Sequence, residues 1–174
     1  MNKIKVDFVP KFKEVAGFPG YYVFKDGRVR SDKGRKPRFL KPNKDRGGYH
    51  YVDLYNDGKR TTKKVHRLVA EAFIPNPDNK PCVDHKDRDK SNNAVENLAW
   101  VTRSENDQNR DARGYYYHKP SGKYQVYIKV NGKLFFSYVD TEEEARAARL
   151  AAKHEKHKYW AENIECLEID KKNL

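Results

Sequence analysis

Long apolar runs and sulfur-containing residues are scarce in this chain of 174 residues. No segment approaches the roughly 18 consecutive apolar residues that a membrane-spanning helix requires, and residues 1–10 lack the apolar core of a signal peptide. The two cysteines, Cys82 and Cys166, are too few for a disulfide framework or for a four-ligand zinc site of the common type. We therefore expect a cytoplasmic protein with no membrane partner.

Acidic residues are also scarce relative to basic ones. The chain contains 37 Lys and Arg against 25 Asp and Glu, a formal net charge of +12. Residues 25–67 contain fifteen basic and five acidic residues, and residues 114–139 contain four lysines and no carboxylate. Two separate basic blocks are typical of a protein that contacts phosphates at two places. A solubilising surface is the alternative; an interfacial membrane helix is disfavoured because neither block has helical apolar periodicity.

The pattern of turns predicts an α+β fold. Asp26-Gly27, Asn56-Asp57-Gly58 and Asn131-Gly132 each separate two strand-like runs, and these residues permit the positive φ angles of tight hairpin turns. Between the first two hairpins, residues 30–48 are rich in Lys, Arg, Pro and Gly. We expect an extended arm there that is disordered unless a polyanion orders it.

Helical signals follow the hairpins. One apolar stripe predicts a short helix, and its members are Val65, Leu68, Val69, Ala72 and Phe73. His66 lies off that stripe, so we expect a surface or capping role rather than a ligand role. A capping box at Thr102 and Glu105 predicts a helix that ends near Gly114, and a second box at Thr141 and Glu144 predicts one that ends near Lys158.

These signals divide the chain into three predicted regions. Residues 1–62 form a β-hairpin basic region, residues 63–112 a core of two short strands and a helix, and residues 113–174 a β-hairpin with a helix packed on it. The absence of an obvious dimerisation stripe favours a monomer.

The central region concentrates residues that suit phosphodiester hydrolysis. Asp84 and His85 end one predicted strand, Asn97 begins the facing strand, and Asn106 lies about one turn inside the following helix. Histidine is the natural general base near neutral pH, and Asp and Asn oxygens suit Mg²⁺ or Mn²⁺ rather than Zn²⁺. If the helix packs across the strands, Asn106 would approach Asp84, and Asn97 would hold His85 in one tautomer.

The same residues carry a family resemblance. Val83-Asp84-His85-Lys86-Asp87, Ser91-Asn92-Asn93, Glu96-Asn97-Leu98-Ala99-Trp100-Val101-Thr102 and Asn106 resemble the HNH homing endonucleases of the ββα-metal type. The preceding Val65-His66-Arg67-Leu68-Val69-Ala70 and Phe73-Ile74-Pro75-Asn76-Pro77 resemble the segment before this motif in phage and intron-encoded members. The resemblance implies His85 as general base, Asn97 as the residue that orients it, and Asp84 with Asn106 as ligands of one Mg²⁺ or Mn²⁺.

Two weaker resemblances flank the motif, and together the three cover about residues 10–160. Tyr21-Tyr22 through Arg28-Val29-Arg30-Ser31 resembles a nuclease-associated modular motif. Residues 114–160 resemble the plant ethylene-response-factor type of DNA-binding domain, in which a three-stranded sheet enters the major groove. Several Arg and Trp of that domain are replaced here by Lys and Tyr, which puts base-specific readout in doubt more than DNA binding.

The resemblance implies a sequence-directed endonuclease with double-stranded DNA as its partner, acting in the cytoplasm of a bacterial host as a phage-encoded protein. The expected DNA-contacting residues are basic: Arg28, Arg30, Lys33, Arg35, Lys36, Arg38, Lys41, Lys44, Arg46, Lys119, Lys123 and Lys129. The first alternative is a non-catalytic DNA-binding regulatory protein. An RNA-binding basic protein, and a restriction or packaging nuclease with the same site, are the others.

Overall fold

A computed structural model describes residues 11–110, 112–130 and 132–158. This part of the chain contains short strands arranged in four small sheets, together with a few helices. The α+β class predicted from the sequence is confirmed. The described residues fall into two compact units: the first comprises 11–79, 83–85 and 89–100, and the second comprises 80–82, 86–88 and the residues from 101 onward. The three-region division stays a prediction.

The first sheet belongs to the first unit and has the order β1-β2-β3-β4. Its strands are β1 (Phe12–Glu14), β2 (Tyr21–Phe24), β3 (Val29–Ser31) and β4 (Arg38–Phe39). The predicted hairpin joins β2 to β3, with Val23 opposite Val29. Gly27 has φ +88° in its turn, and the Asp26 side chain accepts a hydrogen bond from the Arg28 amide.

The second sheet has the order β5-β6-β7. Its strands are β5 (Asn43–Lys44), β6 (His50–Asn56) and β7 (Lys59–Lys64), and the second predicted hairpin joins β6 to β7. Asp57 and Gly58 have φ of 49° and 74°, as a tight two-residue turn requires.

The arm predicted over residues 30–48 is corrected by β4 and β5. Both strands lie within it, β4 pairing with β3 and β5 with β6. Backbone hydrogen bonds at a sheet edge need no apolar side chains, which explains why a segment so rich in Lys, Pro and Gly pairs here. Leu40 adds packing against the core, and its amide donates to the Val29 carbonyl at 2.8 Å.

The rest of the first unit contains α1 (Val65–Phe73), β8 (Cys82–His85) and β9 (Leu98–Val101), and β8 pairs with β9. The predicted stripe of α1 is confirmed, because it packs into one core with both sheets. Core members are Val15, Tyr21, Val23, Val29, Val52, Leu54, Val65, Leu68, Val69 and Leu98. Asn97, expected at the start of β9, instead ends a 3₁₀ turn (Val95–Asn97) just before it.

The second unit contains α2 (Arg103–Gln108), which has the predicted capping box. The helix is shorter than expected, because Arg110 and Arg113 provide no apolar face that would hold further turns on a core. A sheet of β10 (Tyr115–His118), β11 (Lys123–Val130) and β12 (Lys133–Val139) follows, and α3 (Glu142–Lys156) packs on one of its faces with the second capping box. None of the helices among the described residues is long and apolar enough to cross a membrane.

Candidate active site

Asp84 and His85 are the last two residues of β8, and both are buried, with exposed fractions of 9% and 4%. The strand is fixed by its pairing with β9 and by Val83, which packs against the core of the first unit. Titratable groups that are buried together in this way cluster at functional sites. This strand end is therefore the strongest site candidate.

The loop that follows β8 is braced by its own side chains. Asp89 accepts hydrogen bonds from the amide and the hydroxyl of Ser91, at 2.9 and 2.5 Å. Asn97 donates from Nδ2 to the backbone oxygen of Asn92 at 2.8 Å and is itself buried. Asn97 thus anchors the loop; its predicted bond to His85 stays a prediction.

Asn93, which the sequence analysis did not single out, contacts the imidazole of His85. Its Oδ1 lies 3.2 Å from His85 Nε2. Its Nδ2 lies 3.0 Å from the backbone oxygen of Ser91 and 3.3 Å from Nδ1 of His50. A carbonyl oxygen can only accept, so Nδ2 must face Ser91 and Oδ1 must face His85. In this contact Nε2 of His85 donates and Oδ1 of Asn93 accepts.

His66 corrects a second expectation, because it is buried and not at the surface. Its ring centroid lies 5.1 Å from that of His85 and 5.2 Å from that of Tyr49. His66 is three residues before Val69 and seven before Phe73. Residues at these spacings are neighbours on a helix, so His66 borders the apolar stripe of α1. That spacing was the signal that could have identified it.

The surroundings of His66 keep its imidazole neutral. Burial is the largest cause, and the nearby charges of His85, Lys64 and Arg67 add to it, lowering the pKa of His66 to about 3. Tyr49, beside it, has its pKa raised by burial and by the negative charges of Asp84 and Asp45. His66 and Tyr49 are thus two uncharged side chains next to His85.

The depressed pKa of His66 predicts pH-dependent stability. Between the unfolded value of 6.5 and the folded value of about 3, the unfolded chain binds a proton that the folded chain does not. The free energy of unfolding is therefore highest when the pH is above the unfolded-state pKa of His66. It decreases as the pH falls below that pKa, by about 2 kcal/mol from about pH 7 to about pH 5. Urea unfolding of the wild type and of His66→Phe at both pH values measures this. The free energy of unfolding of His66→Phe should change with pH by about 2 kcal/mol less than that of the wild type. An equal change with pH in the two proteins would contradict the prediction.

Asn106 belongs to the second unit. It is the fourth residue of α2, half-buried, and its amide donates to the Thr102 carbonyl at 3.0 Å. The capping box of Thr102 and Glu105 fixes this first turn. The structure thus brings Asp84, His85 and Asn97 together in one unit, whereas the ligand role of Asn106 stays a prediction.

The donor set fits a hard divalent cation. Asp84 and Asn106, the predicted ligands, would supply oxygens, and Mg²⁺ is usually held by one or two such side chains, with water and substrate phosphate completing its shell. Over the ranges 11–110, 112–130 and 132–158, no group of three or more His, Cys, Asp or Glu is placed to hold a metal ion. Two oxygen donors therefore form the predicted protein share of the shell.

The predicted DNA-contacting residues differ in how they are engaged. Arg28 and Arg30 pair with Asp26 and Asp32, and Lys123 pairs with Asp140. Lys33 donates to the Tyr55 carbonyl at 2.6 Å. The others are exposed: Arg35, Lys36, Arg38, Lys41, Lys44, Arg46, Lys119 and Lys129. Contact of all twelve with DNA stays a prediction.

Comparison with protein families gives two matches. Residues 63–108 match the family described as HNH endonuclease. Residues 11–55 match the NUMOD4 motif. The first match includes Asp84, His85, Asn97 and Asn106, and the second includes the β2–β3 hairpin.

Individual relatives agree with these families. The chain is 41% identical over 105 residues to DNA endonuclease I-HmuI of Bacillus phage SP01, covering 60% of this chain and 59% of that protein. It is 34% identical over 96 residues to H-N-H endonuclease F-TflII of Escherichia phage T5, covering 54% and 49%. The chain thus spans between about half and three-fifths of these two relatives' lengths.

A solved structure described as DNA binding and cleavage by the HNH homing endonuclease I-HmuI is also similar. The TM-score is 0.55 at 29% sequence identity, over 85% of this chain and 91% of that one. The family matches confirm the nuclease domain and the N-terminal modular motif predicted from the sequence. The likeness of residues 114–160 to an ethylene-response-factor domain stays a prediction.

Proposed function

We propose that this chain, which contains an HNH endonuclease domain and a NUMOD4 motif, is a sequence-directed DNA endonuclease. The premise is its homology to the phage homing endonuclease I-HmuI. The protein hydrolyses a phosphodiester with His85 as general base and one divalent metal. The observation that carries the proposal is the burial of Asp84 and His85 side by side at the end of β8, within the residues that match the HNH endonuclease family.

In this mechanism Nδ1 of His85 takes a proton from the water that attacks the phosphorus, while the Nε2 hydrogen stays bonded to Asn93. Asn97 holds the loop that carries Asn93, so the imidazole is oriented before the substrate arrives. Asp84 and Asn106 would hold Mg²⁺ or Mn²⁺, whose charge stabilises the transition state at the phosphate and the leaving oxygen. The products are a 3′-hydroxyl and a 5′-phosphate.

The substrate in this proposal is double-stranded DNA. The exposed basic side chains of residues 35–46 would contact phosphates on one side and the lysines of the C-terminal sheet on another, which positions the duplex without reading its sequence. We further propose that the protein is a monomer and acts in the cytoplasm of a phage-infected bacterium. Its C-terminal region would resemble an ethylene-response-factor domain in contacting duplex DNA, through the lysines of the sheet.

Incubation with supercoiled plasmid tests the proposed activity directly. With Mg²⁺ the protein should produce nicked or linear DNA, with ends that a polymerase extends, and excess chelator should abolish cleavage without abolishing binding in a gel-shift assay. A non-catalytic DNA-binding regulator would shift the plasmid and never cut it, under any divalent cation tested. That outcome would overturn the proposal.

Replacing the predicted ligand on α2 should change the metal requirement. Asn106→Ala removes one oxygen donor, so the Mg²⁺ concentration for half-maximal cleavage should rise about tenfold. A Mg²⁺ titration of the cleavage rate measures this. Asp107→Ala is the matched control, because it removes a neighbouring exposed carboxylate of the same helix. An unchanged titration for Asn106→Ala would remove that residue from the ligand set.

A further inference from the structure

The C-terminal sheet of the second unit has a face that carries exposed rings. Strand register places Tyr116 opposite Gln125, which is opposite Tyr138, and places Tyr127 opposite Phe136. Alternation along each strand puts these side chains, and that of His118, on one side of the sheet. We call this side the aromatic face; its rings are Tyr116, His118, Tyr127, Phe136 and Tyr138.

The rings of the aromatic face form one continuous patch. Tyr116 lies 6.2 Å from Tyr127 and 6.4 Å from His118, measured between centroids. Tyr138 lies 5.5 Å from His118 and 6.1 Å from Phe136. The tyrosines and Phe136 are between 39% and 59% exposed. Large apolar patches of this kind mark binding surfaces in soluble proteins.

The rings are not needed for the core of this unit. That core lies on the opposite side of the sheet, where α3 packs against Tyr115 and Val126 through Ala145. The aromatic face is therefore available to a partner while the fold is held together from behind.

The charge around the patch selects an anionic partner. Residues 114–139 contain four lysines and no carboxylate. Lys119, Lys129 and Lys133 are exposed, and Lys123 pairs with Asp140 at 2.8 Å. A second copy of the chain would bring the same lysines together, which like-charge repulsion disfavours. A phosphate backbone would complement them.

From these features we propose that the aromatic face binds unpaired nucleotides of single-stranded DNA by stacking. Exposed aromatic rings on a sheet, surrounded by lysines, form the kind of platform on which splayed-out bases stack. In a duplex the base faces are already covered by their neighbours. Readout of a duplex uses the hydrogen-bonding groups of Arg, Lys, Asn, Gln or carboxylates on base edges. The ring faces of Tyr127 and Phe136 offer no such group, whereas they can stack on an unpaired base.

The test compares two neighbouring phenylalanines in the full chain. Phe136 belongs to the aromatic face, whereas Phe135 points to the other side, where Lys156 Nζ lies 4.8 Å from its ring centroid. Fluorescence anisotropy with labelled oligothymidylate and with a duplex of equal length, in excess chelator at one fixed salt concentration, gives both affinities for each variant. Thermal unfolding followed by circular dichroism checks that Phe136→Leu and Phe135→Leu are folded.

Loss of one stacking ring should weaken single-strand binding by about tenfold or more. Phe136→Leu should show this loss with duplex affinity changed less than twofold, Phe136→Tyr should retain wild-type affinity, and Phe135→Leu should behave as wild type. Equal losses for single strand and duplex, or no loss in Phe136→Leu, would overturn the proposal. So would a change of oligomeric mass in Phe136→Leu, because the face would then be occupied by a second copy. Cleavage is measured separately, so failure here leaves the proposed nuclease activity standing.

Discussion

His85→Ala is expected to lower the rate of DNA cleavage by about a thousandfold. The substitution removes the imidazole that we propose as general base and that contacts Asn93 through Nε2. It removes no basic side chain from the exposed surface, because His85 is 4% exposed. Single-turnover cleavage of plasmid at saturating Mg²⁺ measures the rate, and gel shift in excess chelator measures DNA affinity, which should stay within a few-fold of the wild type.

A histidine far from β8 gives the matched control for this experiment. His154→Ala removes an exposed imidazole on α3 and should leave cleavage unchanged. Thermal unfolding should show His85→Ala to be folded, since Asn93 keeps its bond to Ser91 in the variant. Cleavage at the wild-type rate by His85→Ala would refute the assignment of the base, whatever the affinity for DNA.

Local signals in the sequence predicted most of the elements correctly. Hairpin turns depend on residues that accept positive φ, as Asp57 and Gly58 do, and helix starts depend on a capping side chain three residues from its partner. Such interactions join residues close in sequence, so their patterns can be read without coordinates. Asp84, His85 and Asn97 were found by spacing for the same reason.

Contacts between residues far apart in sequence could not be read in this way. His66 meets His85, nineteen positions away, and Asn93 meets His50, forty-three positions away, through the packing of α1 and β6 around the loop. The strands β4 and β5 were missed because backbone pairing at a sheet edge leaves no hydrophobic pattern. The sequence thus proposed Asp84, His85 and Asn97 by residue type, and their roles stay predictions. It did not point to His66 and Asn93, which contact His85.

The turn between β2 and β3 contacts the loop that follows β8, although the two segments match different families. Gly27 lies in the NUMOD4 match and Asn93 in the HNH match. A Cβ added at Gly27 would lie 2.8 Å from Asn93 Cβ and 3.2 Å from the Asn93 backbone oxygen. The amide of Val95 also donates to the Lys25 carbonyl at 2.8 Å. The N-terminal hairpin therefore fixes the position of Asn93, which contacts His85.

Gly27→Ala should consequently reduce cleavage although it lies outside the catalytic set. The new methyl group would displace Asn93 and the imidazole that it holds, and a misplacement near 1 Å costs about a hundredfold in rate. The positive φ of 88° adds backbone strain of about 1 kcal/mol. Single-turnover cleavage, DNA affinity in chelator and urea unfolding are the measurements, and affinity should be unchanged.

Backbone strain alone is isolated by Gly17→Ala. Gly17 has φ +75°, and a Cβ there would meet no atom within 4 Å. The two variants should therefore share a loss of stability of about 1 kcal/mol, but only Gly27→Ala should lose cleavage. Both variants have backbone strain, but only Gly27→Ala has a collision with Asn93. Equal cleavage rates of the two variants would therefore show that the hairpin does not position His85. A selective loss in Gly27→Ala would identify the N-terminal motif as part of the nuclease site.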